Sequence, residues 1–235
     1  MCNENTLSNA VWEEMDVDPD DPPTTILRPG ATKKQIAECE ARLGHDLPDD
    51  FREFLSLTNG MDSIWNGFYG EPKLLGTDEI YVFDASELQD GWQNASVQMK
   101  FIPDMSVKPE WTTLDRVLMI NDGADDSKYL WLLEPELGRQ YAGSFFAAYQ
   151  ALPLHEQEQV RSVLQIFHAG KENASEINWQ TCVWSPPTLE AQGYQTFREY
   201  LEIMAGDTAN DDILEEEDDQ GRLLHSHDIF AYQLR

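Results

Sequence analysis

Few residues in this 235-residue chain have the type and spacing to do chemistry. His225-Ser226-His227-Asp228 puts two imidazoles and a carboxylate within four positions, the donors a transition metal takes. The segment follows an acidic run that offers no packed surroundings to preorganise a site. Asp122, Asp125 and Asp126 fall in one turn and could gather a cation, but they lack the ligand spacing of an EF-hand loop. A solvated turn is the plainer reading. Ser144 follows Gly143, yet Phe145-Phe146 lacks the second glycine of a nucleophile elbow. Cys2, Cys39 and Cys182 are too few and too scattered for a disulfide framework or a paired-cysteine zinc site. No phosphate-binding loop, dinucleotide fingerprint or H-E-x-x-H zinc motif is present. Forty-four acids make chance carboxylate pairs abundant, so none is singled out. The expectation is no catalytic residue, no metal and no cofactor. The rival class is a metal-dependent hydrolase using the aspartates or histidines named above.

The aromatic residues are the better lead. Trp65, Phe68 and Tyr69 follow a helical region, while Trp92 and Trp111 sit in stretches of weak periodicity. Aromatics that a core does not need become anchors in interfaces. Trp65 and Tyr69 are the candidate anchors, and Asp122, Asp125 and Asp126 the candidate charged contacts, for a protein partner.

Charge narrows the partner. The chain carries −28, with 44 acids against 16 bases. Naked nucleic acid and anionic membrane surfaces are therefore excluded as partners, and a protein with a basic surface is favoured. Residues 1–27 hold seven acids and no Lys or Arg, and 207–219 hold eight more acids and no base. The remainder has 29 acids against 16 bases, or −13. Charges this dense repel and resist burial, so 1–27 and 207–235 read as solvated, disordered acidic flanks around one domain over 28–206. Hydrophobic residues make up 41%, with seven Trp, eight Tyr and ten Phe, enough for a sizeable core. No apolar run approaches the ~20 residues that cross a bilayer, and Met1 to Ala10 carry no secretory signal. The expected location is the cytoplasm. The sequons at Asn94 and Asn173 are inert there.

The elements that must position such residues read as follows. Thr32 and Gln35 form a capping box that opens a helix to Leu43, with Ile36, Cys39 and Leu43 on one face and Gly44 ending it. A second helix starts at Leu47-Pro48-Asp49-Asp50, proline at its first position, with Phe51, Phe54 and Leu55 as its stripe and Asn59-Gly60 as its stop. Strands are predicted at 63–69, 74–75, 80–83, 116–120, 129–133 and 177–184, the 116–133 pair as a hairpin around Asn121-Asp122-Gly123. Glu134-Pro135 and Gly138 read as breaks. A helix is predicted from Pro153 through Val160, Val163, Leu164 and Phe167 to Gly170. The last helix opens at Thr196 with Glu199, buries Phe197, Leu201 and Met204, and stops at Gly206. Helices, then strands, then a closing helix predict an α+β fold.

The opening helix pair resembles the SMI1/KNR4 family of the SUKH superfamily. That family carries an E-x-x-L-G, L-P-x-D-[FY]-x-x-[FL]-L, N-G pattern. Glu40, Leu43, Gly44, Leu47, Pro48, Asp50, Phe51, Phe54, Leu55, Asn59 and Gly60 match it. Met119 to Gly123 with Tyr129 to Leu133 is similar to the family's central hairpin, and Thr196 to Leu201 to its closing helix. The turn around Gly123 has less glycine than is usual, and 141–178 is longer than a compact member needs. The resemblance implies a helix pair and a closing helix packed on a mostly antiparallel sheet, and a protein-binding module without catalytic residues. Members include bacterial immunity proteins that neutralise toxins, often nucleases, and fungal regulators of cell-wall synthesis and signalling. The acidic flanks point toward the fungal regulator or scaffold, with the immunity protein as the alternative.

Overall fold

A computed structural model describes residues 24–65, 70–88, 115–123, 128–158, 173–185 and 190–210, and the pairs 216–217 and 223–224. Helix α1 spans Lys33–Leu43. Thr32 caps it reciprocally with Gln35, and Gly44 closes it at φ 76°, a left-handed value that glycine reaches without a Cβ clash. Helix α2 spans Asp49–Leu57, with both aspartates in its first turn where they complement the helix dipole. Two short strands follow, β1 Ile64–Trp65 and β2 Gly70–Glu71, paired antiparallel with each other.

The main sheet has five strands in the order β3-β4-β5-β6-β7, every pair antiparallel. They are β3 Tyr81–Asp84, β4 Arg116–Met119, β5 Tyr129–Leu133, β6 Gln180–Ser185 and β7 Glu190–Tyr194. Helix α3, Pro135–Ala151, leaves β5, and helix α4, Phe197–Asn210, follows β7. The outcome is the α+β arrangement expected.

Both faces of the central strands β4–β6 are buried, while edge strand β3 is largely exposed. Leu118, Ile120, Leu130, Leu132 and Tyr194 join Ile36, Cys39, Leu43, Phe51 and Leu55 of the helix pair, and Phe197 and Tyr200 of α4, in one core. Val117, Met119, Trp131, Leu133, Cys182 and Trp184 pack with Ala85 in a second. Two-sided burial explains why β4 and β5 read as unbroken apolar runs rather than as alternating ones. Asn121 and Gly123 turn the chain between them, Asn121 fully buried and Gly123 at φ 57°.

Several expectations are corrected. Pro48 occupies the N-cap of α2 rather than its first helical position. Gly60 lies beyond the helix end at Leu57; at φ 98° it passes so near the next segment that a Cβ would come within 2.6 Å of the Leu74 carbonyl oxygen. Of the strand predicted at 63–69, Ile64–Trp65 is seen, paired back on Gly70–Glu71, and 66–69 lie outside the described residues. Leu74 makes only isolated bridges, to Met61 and Asn121.

Glu134-Pro135 begins a helix instead of breaking the chain, since proline at the first helical position lacks only an amide that would be unpaired there. Gly138 sits in its first turn because a Cβ would approach Ile177 Cγ2 to 2.9 Å. Gly206 does not stop α4, which continues to Asn210; a helical glycine costs only about 1 kcal/mol. Strand β7 lies where the sequence pattern predicts no strand. The helix expected from Pro153 is seen at 154–158, and Val160, Val163, Leu164, Phe167 and Gly170 lie outside the described residues. On the N-terminal flank, Ile26 is buried and Leu27 bridges to Met61, so packing starts before residue 28. On the C-terminal flank, Glu216–Glu217 pairs with Leu223–Leu224.

Candidate functional site

The α1–α2 turn is held by side chains that act as backbone partners. The Leu47 amide donates to Glu40 Oε1 at 2.9 Å, and the Gly44 amide to the Glu40 carbonyl at 2.9 Å. Asp50 reaches two helices at once. Its Oδ1 accepts from the Phe51 amide and its Oδ2 from the Arg198 amide in the first turn of α4, both at 2.9 Å. Arg198 Nη2 also meets Glu53 at 2.6 Å. Below these contacts Phe197 packs edge-on against Phe51 and Phe54, with ring centroids 4.8 and 5.0 Å apart.

The N-terminal turns of α2 and α4 thus converge, and a cleft of about 480 Å³ opens beside them. Leu47, Leu132, Trp179 and Phe197 form its apolar lining, and Asp46, Asp49, Asp50 and Arg52 its charged mouth. Thr181 lines it from β6, paired in register with Leu132 and Tyr194. Replacing Asp50 by Ala removes an acceptor from both helices and should lower stability by about 1–3 kcal/mol. Denaturant titration checks this, and an unchanged midpoint would contradict the shared cap.

A second polar cluster fixes the segment after α2. Arg28 donates from Nε and Nη2 to Asp62 Oδ1 at 2.9 and 2.6 Å, and from Nη1 to Glu79 Oε2 at 2.7 Å. Lys73 Nζ meets Glu79 Oε1, and the Gly76 amide donates to Glu79 Oε2 at 3.0 Å. Asn59 Oδ1 accepts from the Thr77 amide at 2.8 Å. Burial alone would push the Glu79 carboxyl up, but hydrogen bonds from Lys73, Gly76 and Arg28 outweigh it and hold the carboxyl at about 2. A depressed carboxyl stabilises the fold above the unfolded-state value near 4.5 and loses that contribution as pH falls toward 2. Its side chain is 30% exposed, so solvent screening reduces the contribution to about 1–2 kcal/mol. Glu79→Gln should therefore flatten stability between about pH 4.5 and 2 relative to wild type.

The two described cysteines, Cys39 and Cys182, are buried and free. Burial pushes the Cys182 thiol up to about 12, only partly offset by the Trp131 indole. It also raises Cys39 against the pull of Arg42. Among the described residues no three His, Cys, Asp or Glu side chains gather as a metal set, and no helix is long and apolar enough to cross a membrane.

The motif residues are used in folding. Leu43, Leu47, Phe51 and Leu55 are buried, Phe54 is half-buried, and Glu40, Gly44, Pro48, Asp50, Asn59 and Gly60 cap or turn the chain as described above. The SMI1/KNR4 family (SUKH-1) model matches residues 30–169. The chain belongs to the SMI1/KNR4 family. A comparison with curated proteins gives no match. The SUKH-1 match ends before β6, β7 and α4, although these complete the sheet and one wall of the cleft.

Of the candidate contacts from the sequence, Trp65 and Asp122 are described, and neither lines that cleft. Trp65 lies in β1, opposite Gly70. Asp122 is exposed beside Tyr81, whose phenol is raised by burial and by the Asp122 charge. Tyr69, Asp125, Asp126, Trp92, Trp111, His225 and His227 lie outside the described residues. The residues missed were Asp46, Asp49, Trp179 and Thr181. One signal was available: Ile177, Trp179, Thr181 and Val183 alternate, which places a lone hydroxyl on a core-facing side of β6.

Proposed function

We propose that the chain is a non-catalytic protein-binding module whose partner presents a basic surface. The observation that carries this reading is membership of the SMI1/KNR4 family, a resemblance that implies a binding module, together with a motif spent on capping and packing. The charge supports it: the domain stays strongly acidic without its flanks, so a basic partner is steered toward it. The acidic flanks favour a cytoplasmic fungal regulator or scaffold of cell-wall synthesis or signalling over a compact toxin neutraliser. The domain is taken as about 28–206, extended by the packing of Ile26 and Leu27 at one end and by α4 to Asn210 at the other, between the acidic segments. Trp65, Tyr69, Asp122, Asp125 and Asp126 are its proposed outlying contacts.

The test immobilises the full chain, applies lysate from its source and elutes with rising salt. Recovery of a discrete basic protein, released by salt, is the expected result. A retained set with no basic protein, or turnover of a substrate lost on His225→Ala/His227→Ala, would overturn it. A toxin encoded beside the gene would move the reading to the immunity alternative.

A further inference from the structure

We propose that the cleft between the first turns of α2 and α4 receives an arginine side chain of the protein partner, an inference that rests on the binding-module reading. The mouth holds three carboxylates against one guanidinium. Asp49 is engaged by Arg52, and Asp50 by two backbone amides. Asp46 is exposed and accepts no hydrogen bond from the described residues, which leaves its carboxylate for a ligand.

The second observation lies at the floor. Thr181 is 1% exposed, lines the cleft, and its Oγ1 has no hydrogen-bond partner. A buried hydroxyl left unpaired is costly, so its position beneath an open acidic cleft calls for a donor from outside the fold. Guanidinium suits these acceptors: it carries five N–H donors in one plane and accepts none, so it can donate to a carboxylate such as Asp46 and to a hydroxyl such as Thr181. Its aliphatic stem suits the walls of Leu47, Leu132 and Phe197, and half-buried Trp179 adds an aromatic ring for the cation. The cleft volume lies within the roughly 300–1,000 Å³ of sites that bind small groups. A neutral ureido group of the same shape would lose the charge term.

The test titrates the full-length, nitrogen-labelled chain with N-acetyl-arginine amide and, separately, N-acetyl-citrulline amide. Saturable shifts at the Trp179 indole and the Thr181 amide are expected with arginine. Binding should weaken about tenfold for citrulline, and about tenfold for arginine with Asp46→Asn or Thr181→Val. Thr181→Val is near in shape and removes only an unpaired hydroxyl, so it should melt at or above the wild-type temperature. Absence of the arginine shifts, an equal response to citrulline, or a Thr181→Val melting point well below wild type would overturn the proposal. Any of these would leave the binding-module reading intact. That reading fails separately if the salt-eluted capture yields no basic protein.

Discussion

Phe51→Ala should cost about 3–5 kcal/mol, a large part of the ~5–15 kcal/mol that holds a typical domain together. Phe51 is 1% exposed and stands at the head of an aromatic chain. It meets Phe197 edge-on; Phe197 lies 5.9 Å from Tyr200, and Tyr200 5.4 Å from Tyr194 of β7. Removing the ring therefore opens a cavity where α2, α4 and the sheet meet, and rigid neighbours on three elements limit collapse into it. Phe51→Leu keeps most of the volume and should lose less than about 1.5 kcal/mol. Urea titration with an unchanged slope measures both. A loss under 1 kcal/mol for the alanine variant would mean that the helix pair is not anchored through this ring.

Asn121→Ala should cost about 2–4 kcal/mol, through polar groups rather than volume. The Asn121 side chain is fully buried at the end of β4. Its Oδ1 accepts from the Leu130 amide at 2.8 Å, and its Nδ2 donates to the Lys128 carbonyl at 2.7 Å. The side chain thus replaces ladder hydrogen bonds where the hairpin opens into its turn. Alanine leaves both backbone groups without that partner. Asn121→Asp keeps the acceptor but loses the donor and buries a charge, so its stability should fall as pH rises through the carboxyl's titration. Amide exchange at Leu130 reports the bond directly. Exchange at Leu130 no faster in Asn121→Ala than in wild type would sink this account.

These two residues show how unevenly the fold is written in the chain. Phe51 declares itself by helical spacing with Leu55 behind an acidic first turn, and Thr32 with Gln35 marks the start of α1 from four residues alone. Asn121 reads as turn chemistry, but its burial depends on β4, β5 and Leu74 meeting, which no local pattern records. Pro135 and Gly138 illustrate the opposite failure. They are strong local punctuation, yet Ala142, Phe145, Phe146 and Tyr149 recur at helical spacing just beyond them and are buried in α3. Strand β7, Glu-Ala-Gln-Gly-Tyr, has no apolar alternation and exists through its ladder with β6. The cleft was illegible for a related reason. Its walls come from 46–52, Leu132, 178–181 and 195–197, brought together by the sheet, the contacts of Asp50 and Glu53 to Arg198, and the packing of Phe197 on α2.

The acidic SMI1/KNR4 domain is proposed to capture a basic protein partner. The most direct test is the association rate of the captured partner with the full chain, measured by stopped flow from about 10 to 150 mM salt. Over that range the Debye length shrinks from about 30 to 8 Å. Electrostatic steering predicts an on-rate falling by about tenfold or more, with the steepness reduced when Asp211, Asp212 and the acids of 215–219 are changed to Asn and Gln. An on-rate independent of salt would contradict the account.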